Sequence, residues 1–151
     1  RPGALSQPRT SPSDPKKDVS IETFFSEGRI DIKWENSKPL FVIHVKQDGG
    51  VAELEGSGQL TDTATLKKLQ EEYVNQIEND IKSVVTISQD IYKVDIFSFE
   101  NVAFKYHHNY WEKEKENWQN EFLKIPVKIE VEAYIRKIGL MKQSAVSIKK
   151  E

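Results

Sequence analysis

Two adjacent histidines with a glutamate nearby are the side chains in this sequence that come nearest to a metal-binding pattern. His107 and His108 are followed by Glu112. Metal ligands must converge on one point, whereas neighbouring residues on a helix diverge by about 100°. The chain contains no cysteine, and it lacks the His-Glu-x-x-His pattern that places two histidines on one helical face. We therefore predict no metal site and interpret the pair as part of a polar turn between helices.

A pair of carboxylates has the spacing needed for acid–base catalysis. Glu130 and Glu132 would point to the same face of a strand, but catalysis needs one carboxyl group to be desolvated. Lys128 and Arg136 share that face and indicate a solvated surface of mixed charge. His44 stands alone, and no nucleophile motif or phosphate-binding loop is present. We predict no catalytic residues, no cofactor and no enzymatic activity.

The length and composition are those of one ordinary domain. The 151 residues are 37% hydrophobic and 10% aromatic, which is enough for one core. No apolar run approaches the roughly 20 residues of a membrane-spanning helix. The 22 basic and 24 acidic side chains give a net charge of −2, and this balance argues against a nucleic-acid-binding surface. The start of the chain has no apolar signal-peptide core, so we expect a fragment or a processed product.

The composition also divides the chain into a folded part and two polar ends. Residues 1–17 contain four prolines and few apolar side chains, which predicts a flexible linker or a segment left from expression. We expect the folded domain to cover residues 18–145, with a polar tail at residues 146–151.

Alternation of apolar and polar residues predicts three strands at the start of the folded part. The strands are expected at residues 29–35, 41–45 and 51–55. Asp48-Gly49-Gly50 is typical of a hairpin turn, because glycine accepts the positive φ that a tight turn needs. We expect an antiparallel three-stranded meander.

Helical periodicity replaces alternation in the middle of the chain. Apolar residues recur at steps of three and four, and they predict a long helix over about residues 62–91. Asp95 is expected to cap a second helix, and Asn109 with Glu112 to form the capping box of a third.

Strict alternation returns over residues 127–135 and predicts a last strand. Because strands and helices are grouped apart, we predict an α+β domain. Its sheet is expected to be mainly antiparallel, a three-stranded meander plus a late C-terminal strand. Three helices, one of them long, are expected to pack on one face.

Aromatic residues are frequent between residues 97 and 122, and they fit either a core or an exposed docking surface. The helical spacing of Trp118 and Phe122 favours the core. Phe97 and Phe99 stand at the start of a helix and fit either interpretation.

A series of short motifs runs through residues 28–141 in a recognisable order. They are Glu35-Asn36-Ser37-Lys38-Pro39, Leu60-Thr61, Val94-Asp95-Ile96-Phe97-Ser98-Phe99-Glu100, Trp111, Asn117-Trp118 and Arg136-Lys137-Ile138-Gly139-Leu140. No single motif is specific, but the ordered series resembles the C-terminal domain of the Ger(x)C spore germination proteins. Ser37, Ser98 and Glu100 stand where that family commonly has glycine. If those glycines serve a left-handed backbone, the local turns here must differ or carry strain.

The resemblance implies a location and partners for the full-length protein. It would be a lipoprotein with an acyl (palmitate) anchor on a cysteine outside this chain, and this would be its third domain. It would lie at the outer face of the spore inner membrane, with two membrane-embedded subunits of a nutrient germinant receptor.

From the residues and the resemblance together, we expect a non-catalytic docking or scaffold module in spore germination. The alternative is an extracytoplasmic domain that binds a small nutrient molecule. The residues expected to dock a partner are Asp95, Phe97, Phe99, Glu100 and Phe104.

Overall fold

A computed structural model describes residues 7–11, 14–54 and 63–141 of the chain. The strands and helices are β1 Gln7–Ser11, β2 Asp14–Glu35, β3 Lys38–Leu54, α1 Thr63–Thr86, a π-helical turn Ile87–Ile91, α2 Phe99–Tyr106, α3 His108–Glu114, a 3-10 turn Lys115–Asn117, α4 Trp118–Lys124 and β4 Val127–Met141. The four strands form one sheet in the order β1-β2-β3-β4. The predicted α+β class, with a late C-terminal strand, is confirmed.

The sheet is mixed because its last strand runs parallel to its neighbour. β1 and β2 are antiparallel, and β2 turns into β3 at Asn36 and Ser37, whose φ angles of 50° and 63° suit a type I′ turn. Contacts between β3 and β4 rise together in residue number: Phe41 with Pro126, His44 with Glu130, and Asp48 with Arg136. Parallel neighbours need a long crossover connection, and helices α1–α4 supply it.

The N-terminal part of the chain differs from the linker predicted for residues 1–17. Gln7–Ser11 is a strand, and β2 already begins at Asp14. Strand pairing uses main-chain groups, so it does not require the apolar side chains whose scarcity suggested a linker. Residues 1–6, 12–13 and the predicted tail at 146–151 lie outside the described residues.

The hairpin predicted at Asp48-Gly49-Gly50 is wrong, because β3 runs straight through these residues. The glycines serve close packing instead. A Cβ at Gly49 would lie 2.8 Å from Cγ2 of Ile21, and one at Gly50 would overlap the ring of Phe24. Glycine within a strand often marks such an approach of neighbouring groups.

Contacts divide the chain into two compact units. The first comprises Arg1–Ser26, Lys46–Asn75 and Glu132–Glu151, and the second comprises Glu27–Val45 and Gln76–Val131. In the first unit, Tyr73 of α1 is buried and its hydroxyl donates to Oε1 of Gln47 (2.9 Å). Gln70, one turn earlier, accepts the N–H of Ile135 of β4 at 3.1 Å. Helix α1 is thus tied to two strands of the first unit.

The second unit contains an aromatic core. Phe41 of β3 stacks on Phe99 of α2 with ring centroids 3.9 Å apart and planes 7° apart. Trp118 and Phe122 of α4 each lie 6.0 Å from Phe41, so the prediction that both belong to the core is confirmed. Aromatic pairs with ring centroids near 6 Å, as Phe41 has with Trp118 and Phe122, contribute about 0.5–1.5 kcal/mol beyond the area that they bury.

The predicted helices are present, but their boundaries and caps differ in part from the predictions. The long predicted helix is α1 with the π-helical turn that follows it. The third predicted helix is divided into α3, a 3-10 turn and α4. The capping box is wrong: α3 begins after His107 without a side-chain cap, and Glu112 instead accepts from Lys115 at 2.8 Å.

Candidate docking surface

Asp95, a predicted docking residue, is occupied within the domain. Its Oδ1 accepts the N–H of Phe99 at 3.0 Å and its Oδ2 accepts the N–H of Glu100 at 2.8 Å. These are orphan donors of the first turn of α2, so the predicted cap is confirmed. Oδ2 also accepts Nε1–H of Trp118 at 3.3 Å. The carboxylate therefore joins the start of α2 to the start of α4.

The other predicted docking residues fall into buried and exposed groups. Phe99 is 0% exposed, so its predicted docking role is corrected: its ring is enclosed by the core. Phe97 is half-buried and packs on Phe99 at a ring distance of 6.0 Å. Glu100 and Phe104 are exposed, Phe104 by 58%. For these two residues, docking remains a prediction.

A more exposed apolar segment lies just before the predicted surface. Residues 91–96 follow α1 and include four large apolar side chains that are at least half exposed: Ile91 64%, Tyr92 71%, Val94 52% and Ile96 50%. We call this the 91–96 segment. Sequence patterns missed it, because its apolar residues follow neither a helical nor a strand period. Apolar residues concentrated in a connection without such a period are the signal that was available.

Hydrogen bonds hold the 91–96 segment in a defined shape. The buried Ser88 accepts the N–H of Val94 at 2.9 Å, and its hydroxyl donates to the carbonyl of the same residue. The N–H of Tyr92 donates to the carbonyl of Ile87 (2.9 Å), and Gln119 donates to the carbonyl of Lys93. The segment is therefore anchored to the π-helical turn that follows α1 on one side and to α4 on the other.

Gln89, in the π-helical turn, strengthens the attachment to α4. Its Nε2 donates to the carbonyls of Phe122 (3.0 Å) and Ile125 (2.9 Å) at the end of α4. The last carbonyls of a helix have no partner within the helix, so Gln89 acts as a cap supplied by another element. π-helical turns of this kind are often found at functional positions.

The charge around the segment is negative. Residues 90–100 contain three carboxylates, Asp90, Asp95 and Glu100, and one ammonium group, Lys93, for a formal charge of −2. Asp90 and Glu100 are exposed. Among the described residues neither carboxylate has an ion-pair partner within 4 Å.

His44 and His107 each lie beside a different carboxylate. His44 Nδ1 lies 2.8 Å from Oε2 of Glu130, and His107 Nε2 lies 3.5 Å from Oδ1 of Asp31. The ring of His107 also lies 4.8 Å from that of Trp34. Within the part of the chain that the structure describes, no three potential metal ligands are grouped.

Among the residues that the structure describes, Tyr110 of α3 is the one whose ionisation is most altered by its surroundings. Burial raises its pKa well above the ordinary value, and the carboxylate of Glu121 raises it further. The Tyr110 hydroxyl lies 3.1 Å from Oε1 of Glu121, so it acts as a hydrogen-bond donor throughout the neutral range.

Comparison with known proteins places the domain in a family. The family described as "Spore germination B3/ GerAC like, C-terminal" matches residues 6–139. The chain belongs to this family. The match begins at residue 6, so the GerAC-like domain includes β1.

The relatives of this GerAC-like domain are longer proteins. Two from Bacillus subtilis (strain 168) are spore germination protein KC, 26% identical over 127 residues, and spore germination protein B3, 28% identical over 123 residues. The aligned parts cover 83% and 80% of this chain but 31% and 33% of those relatives. A solved structure titled "Crystal Structure of the GerBC protein" is similar, with a TM-score of 0.72 and 27% identity, over 87% of this chain and 40% of that chain. The chain therefore spans about a third of the curated relatives it matches.

Two of the three departures from glycine coincide with a left-handed backbone. Ser37 has φ 63° and Ser98 has φ 61°, the region in which a side chain costs roughly 1–2 kcal/mol. Glu100 lies instead in the first turn of α2, where a side chain is accommodated. Ser37 and Ser98 thus adopt left-handed turns despite this cost.

Among the residues described, none of the helices combines the length and hydrophobicity of a membrane span.

Proposed function

We propose that this GerAC-like domain is a non-catalytic docking module of a nutrient germinant receptor in spore germination. The observation that carries the proposal is the 91–96 segment: a hydrogen-bonded, exposed apolar surface with Tyr92 at its most exposed point. Tyrosine is enriched in the small set of residues that dominate binding energy at interfaces. A segment already held in shape loses little conformational freedom on binding. The partners in this proposal are the membrane-embedded subunits of the receptor.

The same proposal places the full-length protein at the outer face of the spore inner membrane, attached through a lipidated N-terminus. Membership of the family and the similarity to two spore germination proteins support a role in germination. The alternative is a nutrient-binding domain. Two depressions described along α1 are open to solvent. One of them, with a volume of about 720 Å³, is lined by Asn79, Lys82, Ser83, Thr86 and Ile87.

The test uses the full-length protein in spores and the 151-residue chain in vitro. Ile91→Ser with Tyr92→Ser should leave the midpoint of unfolding within about 1 °C of the original, because both side chains are exposed. The same double variant should slow nutrient-triggered germination at least tenfold. Tyr134→Ser changes an exposed tyrosine of the first unit and serves as the matched control.

Normal germination with the double variant would contradict the docking role of the segment. The alternative has its own measurement: a thermal-shift screen of the chain against amino acids, sugars and nucleosides. A specific ligand raises the unfolding midpoint by mass action, so a micromolar nutrient would favour the binding domain over the docking module.

A further inference from the structure

The charge of the 91–96 segment indicates what kind of surface it meets. Its apolar side chains need an apolar partner, but a lipid bilayer and a protein groove both satisfy that requirement. Charge distinguishes the bilayer from the protein groove. Asp90 and Glu100 are exposed carboxylates and Lys93 is the one basic residue among residues 90–100, so the net charge here is negative. An anionic bilayer repels a surface of net negative charge.

We propose that the partner of the 91–96 segment is an apolar protein surface edged with lysine or arginine side chains. This proposal rests on the proposed function, since it names the chemistry of the surface that the docking module would contact. Complementary charge at the rim of an interface speeds association and excludes wrong partners, while the apolar centre supplies most of the affinity. The segment offers both features, because Ile91 and Tyr92 are exposed apolar side chains and the exposed carboxylates of Asp90 and Glu100 come just before and after it in the chain.

Helix α2 begins shortly after the 91–96 segment and is bonded to it through main-chain N–H groups. The N–H of Glu100 is bonded to Asp95, which lies within the segment. Asp95 itself accepts three hydrogen bonds, from Phe99, Glu100 and Trp118, so its charge is largely compensated inside the domain. The two carboxylates available to a partner are therefore those of Asp90 and Glu100.

The 151-residue chain can be tested with three probes in solution. One is a synthetic amphipathic helical peptide with leucine on one face and lysine on the other. The second carries glutamate in place of lysine, and the third is a vesicle of phosphatidylglycerol. We expect the lysine peptide to bind at least tenfold more tightly than the glutamate peptide, with an affinity that falls as salt is raised. We expect no binding to the vesicles.

Variants of the chain identify the surface responsible. Asp90→Asn with Glu100→Gln should remove most of the preference for lysine, and Ile91→Ser with Tyr92→Ser should abolish binding of both peptides. Tyr134→Ser should bind as the original chain does. Equal affinity for the two peptides, a preference that survives in the Asp90/Glu100 variant, or binding to the vesicles would each overturn the proposal.

Germination of spores that carry these variants distinguishes a wrong partner chemistry from a wrong docking role. If Ile91→Ser with Tyr92→Ser blocks germination while Asp90→Lys with Glu100→Lys leaves it normal, docking stands and the basic partner is wrong. If both variants germinate normally, docking through this segment is itself wrong. We expect both to slow germination, the charge-reversed variant at least threefold.

Discussion

Ser98 has a strained backbone conformation at the point where helix α2 begins. It stands in the left-handed region with φ 61° and immediately precedes α2. Three residues earlier, Asp95 caps the same helix and binds Trp118. The left-handed turn at Ser98 brings the Asp95 carboxylate back over the first N–H groups of α2, so the strain serves the cap.

We expect Ser98→Gly to stabilise the domain by about 1 kcal/mol, because glycine adopts a left-handed conformation without steric cost. Ser83→Gly is a matched control, since Ser83 lies in the interior of α1 and glycine there should cost roughly 0.5–1 kcal/mol. Urea denaturation of both variants measures the effect. A Ser98→Gly domain no more stable than the original would show that the turn is not strained.

The raised pKa of Tyr110 predicts how the free energy of unfolding depends on pH in the alkaline range. Its folded-state pKa is raised by burial and by Glu121, whereas in the unfolded chain tyrosine ionises near pH 10. Below about pH 10 the tyrosine is protonated in both states, and its contribution to stability is constant. Above that pH the unfolded form loses its proton first, so stability falls as pH rises.

Tyr110→Phe should therefore flatten the decline of unfolding free energy between about pH 10 and 11.5. Tyr134→Phe is the control, because Tyr134 is exposed. Denaturation at a series of pH values gives the two slopes. Parallel curves for the original domain and the Tyr110 variant would contradict the expected burial of the hydroxyl.

At the scale of elements, the helices that follow α1 are short and depend on bonds from the segments around them. α2 spans eight residues, and α3 and α4 seven each, well below the roughly 12–15 residues that a helix needs to be stable alone. Asp95 caps α2, and Gln89 caps the end of α4. The region is held together by these caps and by the aromatic core beneath them.

We expect Gln89→Ala to cost about 1–3 kcal/mol, because it leaves the carbonyls of Phe122 and Ile125 without this donor. Gln76→Ala is the control: Gln76 is exposed and bonds to Asp80 within α1. Thermal unfolding of both variants compares the two. Equal small losses would mean that solvent replaces Gln89 at the end of α4.

Sequence patterns predicted those elements whose apolar residues follow a regular period. The long helix, the late strand and the core positions of Trp118 and Phe122 were all found in this way. The turn at Asp48-Gly49-Gly50 was mistaken, because a glycine required by close packing and one required by positive φ have the same appearance in a sequence. Phe99 was ambiguous for a similar reason, since only three-dimensional contact with Phe41 shows which way its ring points.

At the scale of the whole molecule, the two compact units share their main elements. α1, β2, β3 and β4 each continue from one unit into the other. Breaking a continuous helix or strand in the middle exposes main-chain groups, so we expect the units to unfold together. The three tryptophans, Trp34, Trp111 and Trp118, all belong to the second unit.

This distribution allows a direct measurement. Tryptophan fluorescence reports unfolding of the second unit, while far-UV circular dichroism reports helix and strand in both. We expect the two unfolding curves to coincide in urea, as two-state behaviour requires. A fluorescence transition at clearly lower urea concentration would show that the second unit unfolds independently.

The parallel pairing of β3 with β4 governs the speed at which this molecule can form. β4 contacts β3 only after the chain has passed through all four helices, so the pairing joins parts that are distant in sequence. Domains dominated by such distant contacts fold slowly, in milliseconds to seconds, because the connecting loop must be ordered before the contact stabilises it.

Until β4 pairs with β3, the main-chain groups of β3 that it will bond are open to other chains. An unfilled edge of this kind favours intermolecular strand pairing. Recovery of the native state after refolding should therefore decline as protein concentration rises.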